Sequence, residues 1–443
     1  MIIQIKNLGI IKEAVIDTSK KFTLFCGNNS TGKTYLSYIL YALYSMDYPL
    51  MLKSFTSVKE EVESQGTATI KKEYLDEYID VLCKYVKDNI GLVFGISEND
   101  EKKFFGDFSL KISYTDADFE PISKIMIYLG DRQLKPKYSN ELDIAVLKDV
   151  TSNFSHRDWW NGTIRNLALL SKVKMFPVER NSIFTFKTEL NINRSQLVDI
   201  MLSSQDNGAM AKLNSNARRY PLAIKNSINI ASDLANMQKS NSSYLQFANE
   251  LEESLLHGRV IVNDNGDVDF CPNENVMLPF SMSSSIVKTL SSLVVYLKHE
   301  ANLNDFLIID EPEMNFHPSN QVLLAPMFSK LVNSKFNLVV STHSDYIIRE
   351  INNLIVAKSL KDKGDDAYKQ YYKEDSLLDF KDVQVLYFDF DKDGFVRVKS
   401  LDVDEYGFAV DSIDETINQQ NQRMMDLFGR MNESNNSNDV END

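Results

Sequence analysis

Three short stretches carry the residue types that chemistry on a phosphate would need. The first is Gly27-Asn28-Asn29-Ser30-Thr31-Gly32-Lys33-Thr34. Small residues between two glycines let successive backbone N–H groups turn inward around the α- and β-phosphates of a nucleotide, with Asn28, Asn29, Ser30 and Thr31 lining the turn. Lys33 is placed to reach the β- and γ-phosphates, and Thr34 to put its hydroxyl on Mg²⁺. The second stretch is Phe306 to Pro318, an apolar run that ends in Asp310 and Glu311. In enzymes with such a phosphate loop, the first of these acids holds the Mg²⁺ shell and the next orients or deprotonates the attacking water. An acidic turn after a buried strand would explain either carboxylate alone, but not their pairing with an upstream phosphate loop. The third stretch, FNLVVSTHS, puts His343 just beyond another apolar run, within reach of a γ-phosphate or the attacking water.

Elements of regular structure must bring these stretches together. FTLFC before the loop reads as a strand and KTYLSYILYALYSM after it as a helix, whose positive N-terminus would face the bound anion. FLIID and FNLVVS read as buried strands. Residues 1–52 and 259–430 therefore form an α/β nucleotide-binding core, opened by two strands joined at NLGII. Residues 53–258 form a mixed, largely helical insertion, in which VKEEVESQ and KKEYLDEYIDVLCKYVKDNI have helical spacing and FSLKISYT alternates like a strand. Gly258 is expected to stop a helix at SLLHG. GRVIVNDNGDVDF follows as a β-hairpin, with Asn265-Gly266 taking the positive φ values of a tight turn. The acidic tail, 431–443, reads as disordered.

Composition narrows the setting. The 443 residues are 43% hydrophobic and 25% charged, ordinary for a globular protein, and the net charge of −15 supplies no global attraction to nucleic acid or an anionic membrane. Any DNA contact must be a local patch. Cys26, Cys83 and Cys271 lie far apart with no metal-ligand spacing. Neither a signal peptide nor a membrane span is read, and a reducing cytoplasm fits. DFDKDG, 389–394, has acids at calcium-loop positions but Ser400 where the bidentate glutamate belongs, so a hairpin turn is expected there and no nuclease site.

The three stretches together resemble the ABC-type ATPase heads of the RecF, SMC and OLD-nuclease kind. The resemblance rests on NLGIIKEA with GNNSTGKT, on LIIDEPEMNFHP and on VVSTHS. It implies a P-loop NTPase with a mixed sheet, ATP and Mg²⁺ as cofactors, and ATP hydrolysis. It also implies a homodimer or higher homo-oligomer built through the ATP sites. In that family a serine-rich signature precedes the second stretch, and Ser283, Ser284 and Ser285 in SMSSSIVKTLSSLVVYLKH stand in that place, without the glycine relatives often carry. At a helix start, their hydroxyls and free N–H groups would cap the γ-phosphate bound on another subunit. FPVERNSI resembles a PAER-like segment of bacterial relatives, its Glu179 and Arg180 either pairing in the core or facing nucleotide. Relatives lacking a nuclease domain act in DNA repair or anti-phage defence beside an effector protein. The alternatives are a nucleotide-gated scaffold with little turnover and a small-molecule kinase.

Overall fold

The computed structural model describes residues 1–45, 64, 67–69, 71–123, 126–129, 144–147, 172–186, 220–237, 240–273, 275–410 and 418–431. The segment VKEEVESQ, apart from Ser64, and the tail beyond Met431 lie outside them.

Among the described residues, nine strands make one mixed sheet. They are β1 (Ile2–Leu8), β2 (Ile11–Asp17), β3 (Phe22–Gly27), β4 (Ser109–Ser113), β5 (Val173–Phe176), β6 (Phe306–Asp310), β7 (Asn337–Ser341), β8 (Val383–Phe390) and β9 (Val396–Leu401). Their spatial order is β4-β1-β2-β9-β8-β3-β7-β6-β5. From β8 to β5 all neighbours run parallel, whereas β1 pairs antiparallel with β2 and β4, and β9 returns antiparallel from β8. The parallel strands are buried on both faces, which is why FLIID and FTLFC read as unbroken apolar runs instead of alternating ones.

Successive side chains still face opposite ways. Phe25, Ile308 and Val339 enter the core beneath helix α1 (Lys33–Tyr44), together with Leu36 and Leu40. Leu24, Leu307, Ile309 and Val340 enter the other core, shared with helices α2 (Ser285–His299) and α3 (Asp345–Asp362) through Leu290, Val294, Ile347 and Ile351. The segment between 53 and 258 contributes strands β4 and β5 to the sheet, and its helix Lys72–Asp88 packs Tyr78, Ile79 and Leu82 into the α1 core.

Parallel register sets the site. Asp310 stands opposite Ser341, and Ser341 opposite Phe25, so the carboxyl ends of β6, β7 and β3 finish at one level. A ligand at such an edge meets the loops that leave all three strands.

Two turn expectations are corrected. The 259–273 hairpin forms, but Val262 pairs with Val268 across a five-residue loop in which Gly266 has φ 79° and Asn265 is not left-handed. Asn263 accounts for this, since its side-chain oxygen accepts from the Asn265 and Asp267 N–H groups and so fixes a wider loop. At SLLHG the left-handed residue is His257, φ 51°, not Gly258. Gly258 is required by close approach instead, because a Cβ there would lie 2.5 Å from the Phe270 ring. Of the DFDKDG acids, Asp389 lies within β8 opposite Arg397, and Asp391 and Asp393 sit in the β8–β9 turn, where Asp391 accepts from the Asp393 and Phe395 N–H groups and pairs with Lys12 at 2.9 Å.

Candidate nucleotide site

The loop between β3 and α1 owes its shape to left-handed residues, with Gly27 at φ 124°, Ser30 at 61° and Gly32 at 87°. Gly27 has a second constraint: a Cβ there would sit 2.2 Å from the carbonyl oxygen of Phe388 on the adjacent β8. Lys33 opens α1 and is buried. Its Nζ donates to the carbonyls of Gly27 at 3.1 Å and Asn28 at 2.7 Å, so an incoming phosphate must draw the ammonium away from the loop's own oxygens. Asn28, Asn29 and Ser30 are exposed, while the Thr31 hydroxyl closes the loop onto Asn28 O at 2.8 Å.

Thr34 and Asp310, the two residues expected at Mg²⁺, meet directly, with Thr34 Oγ1 donating to Asp310 Oδ2 at 2.9 Å. The Ser341 hydroxyl donates to the other carboxylate oxygen. Asp310 is buried at the end of β6, and burial raises its pKa against the lowering effect of these two hydroxyls. A hydroxyl and a carboxylate in contact are hard oxygen donors of the kind Mg²⁺ takes together with nucleotide phosphates and water. The residues present therefore fit that ion.

Glu311 lies at the mouth of the site with φ 45°. Its N–H donates to Ser341 O at 3.1 Å, its carbonyl accepts from Met314 N at 3.3 Å, and its Oε1 stands 3.6 Å from His343 Nε2. The imidazole beside it holds the Glu311 carboxyl below the usual range despite partial burial, with Lys33 acting in the same direction. The group is a carboxylate at neutral pH. His343 is held in turn by Glu313, whose Oε1 accepts from the His343 N–H and the Thr342 hydroxyl, both at 2.7 Å. Burial raises the Glu313 pKa.

Lys33, Thr34, Asp310, Glu311 and His343 are thus gathered at one edge of the sheet. Ser283, Ser284 and Ser285 make no hydrogen bond to any of them. Ser284 is the N-cap residue of α2 and makes no side-chain capping bond, Ser285 is exposed with its hydroxyl 3.4 Å from Asn315 O, and Ser283 is buried against Pro279 O. A groove of about 780 Å³ between Leu251, Leu255, Met327 and Tyr372 contains none of these residues.

Three residues of the site go beyond the sequence reading. Ser341, the last residue of β7, ties Asp310 and Glu311 to that strand, and Glu313 fixes His343. Arg180 neither pairs with Glu179 nor faces nucleotide: it is buried, and its four hydrogen bonds all go to backbone carbonyls. The repeated acids of DEPE and the serine closing VVS were the available signals.

Lys33 also predicts a proton linkage. Burial pushes its ammonium down to about 8, against the pull of Glu311, Cys26, Asp310 and Glu313. A triphosphate bound at Lys33 would raise the value again, so binding would take up a proton in the pH range between the two. The sign follows: affinity is flat below about pH 8 and falls by roughly tenfold per pH unit above it. Calorimetric titration at pH 9 in buffers of different ionisation enthalpy should show proton uptake that is lost in Lys33→Ala. Equal affinity at pH 8 and pH 9.5 would contradict it.

The architecture, a parallel-centred α/β sheet with a glycine-lysine loop leading from β3 into α1, is that of a P-loop NTPase. No curated protein sequence matches the chain. Among solved structures, the SmcHead bound to the C-winged helix domain of ScpA aligns at 13% identity with TM-score 0.37, over 91% of this chain and 98% of that one. The Smc head domain with an extended coiled coil, bound to the C-terminal domain of ScpA and derived from Pyrococcus furiosus, aligns at 13% identity, TM-score 0.32, over 96% and 98%. The SMC head domain from Thermotoga maritima gives 12%, 0.31, 91% and 98%. No helix among the described residues is long and apolar enough to cross a membrane. The sequence model of the AAA ATPase domain matches residues 1–348, more than half of the chain, and the chain belongs to that family.

Proposed function

We propose that this chain binds ATP with Mg²⁺ and hydrolyses it. One observation carries the reading: the contact of Thr34 with Asp310, beside Lys33 on one side and the Glu311–His343 pair on the other. Thr34 and Asp310 would hold the ion, which would screen the charge between β- and γ-phosphates. Lys33 would bind the same phosphates, and the Glu311 carboxylate would take the proton of the attacking water with His343 steering it. Mg²⁺-dependent release of phosphate from ATP without any acceptor would distinguish this from a kinase and from a scaffold that binds without turnover.

The active form on this reading is a nucleotide-dependent dimer of RecF, SMC and OLD type. Among the described residues, Ser284 and Ser285 at the N-terminus of the 15-residue helix α2 are exposed and Ser284 makes no side-chain capping bond, which supports an anion site there. On this reading that end would meet the partner's γ-phosphate, so closure would report nucleotide state. DNA repair or anti-phage defence beside an effector protein is the setting such heads suggest, with any DNA contact confined to local patches.

The shared site makes a testable claim. Lys33→Ala and Ser284→Arg should each be inactive, yet mixtures should recover part of the turnover, because one of the two sites in a mixed dimer keeps both intact elements. Failure to recover activity, in mixtures shown to contain the mixed dimer, would count against the trans contact.

A further inference from the structure

We propose that Arg180 is a positioning residue that fixes the backbone of Glu311 and ties it to helix α2. The proposal rests on Glu311 being the base in the reading above. Arg180 follows β5 at the start of the short helix Arg180–Thr185 and is only 3% exposed. Its guanidinium reaches three separate parts of the chain. Nη1 donates to Pro177 O at 2.9 Å and Asp310 O at 2.7 Å, Nη2 donates to Glu311 O at 2.8 Å, and Nε donates to Thr289 O, in α2, at 3.2 Å.

A guanidinium buried in a protein usually meets a carboxylate in a two-pronged pair. Here every donor in use goes to a carbonyl, and the surrounding carboxylates of Asp310, Glu313 and Glu311 balance the charge without touching it. The use of the fork is geometric. Glu311 has the left-handed backbone that a residue with a Cβ adopts only when its neighbours hold it there. Its N–H is held by Ser341 on β7, and its carbonyl by Arg180 and Met314. With both ends of the residue held, its Oε1 points at His343. Release of the carbonyl end lets the peptide relax and swings the carboxylate off the line of attack.

The same side chain binds α2 in its second turn, while Asn181 Nδ2 donates to Thr289 Oγ1 at 3.1 Å. The element that opens with Ser284 and Ser285 is therefore linked by one residue to the loop carrying Glu311. A shift of α2 on engagement of its N-terminus would be felt at Thr289 O, and from there at the Glu311 carbonyl.

Lysine tests the role, because it keeps the charge but offers one compact ammonium that cannot reach four separated carbonyls. For Arg180→Lys we expect ATP affinity and KM within about twofold of wild type and kcat lowered by roughly 10²-fold, the scale for losing an aligned general base. Arg180→Ala should lose turnover equally and regain part of it in millimolar guanidinium, but not in equal ammonium. Thermal unfolding of both variants accompanies the kinetics. A folded Arg180→Lys with wild-type kcat, or parallel loss of affinity and kcat, would overturn the proposal. So would the absence of guanidinium rescue, or two variants that fail to fold even with saturating ATP, which would make Arg180 a stability residue. A wild type that binds ATP without hydrolysing it would instead defeat the reading of Glu311 as base, a separate result.

Discussion

Glu311→Gln should bind ATP and Mg²⁺ as the wild type does and hydrolyse it at least ~10²-fold more slowly. The substitution is nearly isosteric, so the left-handed backbone and its bonds to Ser341 and Arg180 remain, and the amide oxygen can still face His343 Nε2. Only the ability to take a proton is lost. A 10²-fold loss is about 2.7 kcal/mol of transition-state stabilisation, which a single positioned base can supply. The proposed nucleotide contacts keep their geometry, because the hydrogen bonds of Lys33, Thr34 and Asp310 do not use the Glu311 side chain. A direction in pH accompanies the loss. His343 holds the Glu311 carboxyl below the usual range, so the acid limb of wild-type turnover should lie below that of an ordinary glutamate. In His343→Ala that limb should move to higher pH. Steady-state turnover and nucleotide affinity, measured on the same preparations, decide the matter. Undiminished turnover in Glu311→Gln would mean that another group handles the water.

What the sequence disclosed and what it hid differ in physical kind. Gly27 to Thr34 is legible because one continuous loop supplies a whole phosphate cradle, and its geometry permits few residue types at Gly27 and Gly32. Asp310, Glu311 and His343 are legible because each ends or follows an apolar parallel strand, and such strands finish at one edge. The partner strand of Gly27 was not legible. An alternating run such as VQVLYFDF looks the same at the edge of a sheet as at its centre, and only the fold places β8 beside β3. Arg180 was visible in FPVERNSI, but its partners were hidden for another reason. Its partners are main-chain carbonyls, 109 to 131 residues away at Thr289, Asp310 and Glu311, and a carbonyl leaves no side-chain pattern to recognise. Glu313 was half visible, as a second acid in DEPE, but its task is to hold the His343 N–H, again a main-chain contact.

Lys33→Ala should abolish tight nucleotide binding while leaving the free protein about as stable as before. The two parts of this prediction have one origin. The Lys33 ammonium is held among the Gly27 and Asn28 carbonyls in a site where burial already disfavours its charge, so its removal relieves a desolvated cation. The oxygens left behind belong to a loop whose tip is exposed at Asn28, Asn29 and Ser30, where water can replace the lost donor. Unfolding free energy without nucleotide should therefore change by less than ~1 kcal/mol, the usual scale for a residue whose partners stay hydrated. Against a triphosphate the same ammonium would gain a charge-assisted contact to the β- and γ-oxygens. Bonds of that kind contribute about 1.5 to 3 kcal/mol, or roughly 10- to 100-fold in affinity. Ligand-induced stabilisation exposes the difference directly. At a concentration of 100 times the wild-type Kd, ATP adds about 2.7 kcal/mol to the wild type, but only about 0.4 kcal/mol to a variant that binds 100-fold more weakly. Chemical unfolding with and without ATP·Mg²⁺ measures both numbers in one series. Equal stabilisation of mutant and wild type by ATP would remove Lys33 from the phosphate site, and with it the loop that the whole reading begins from.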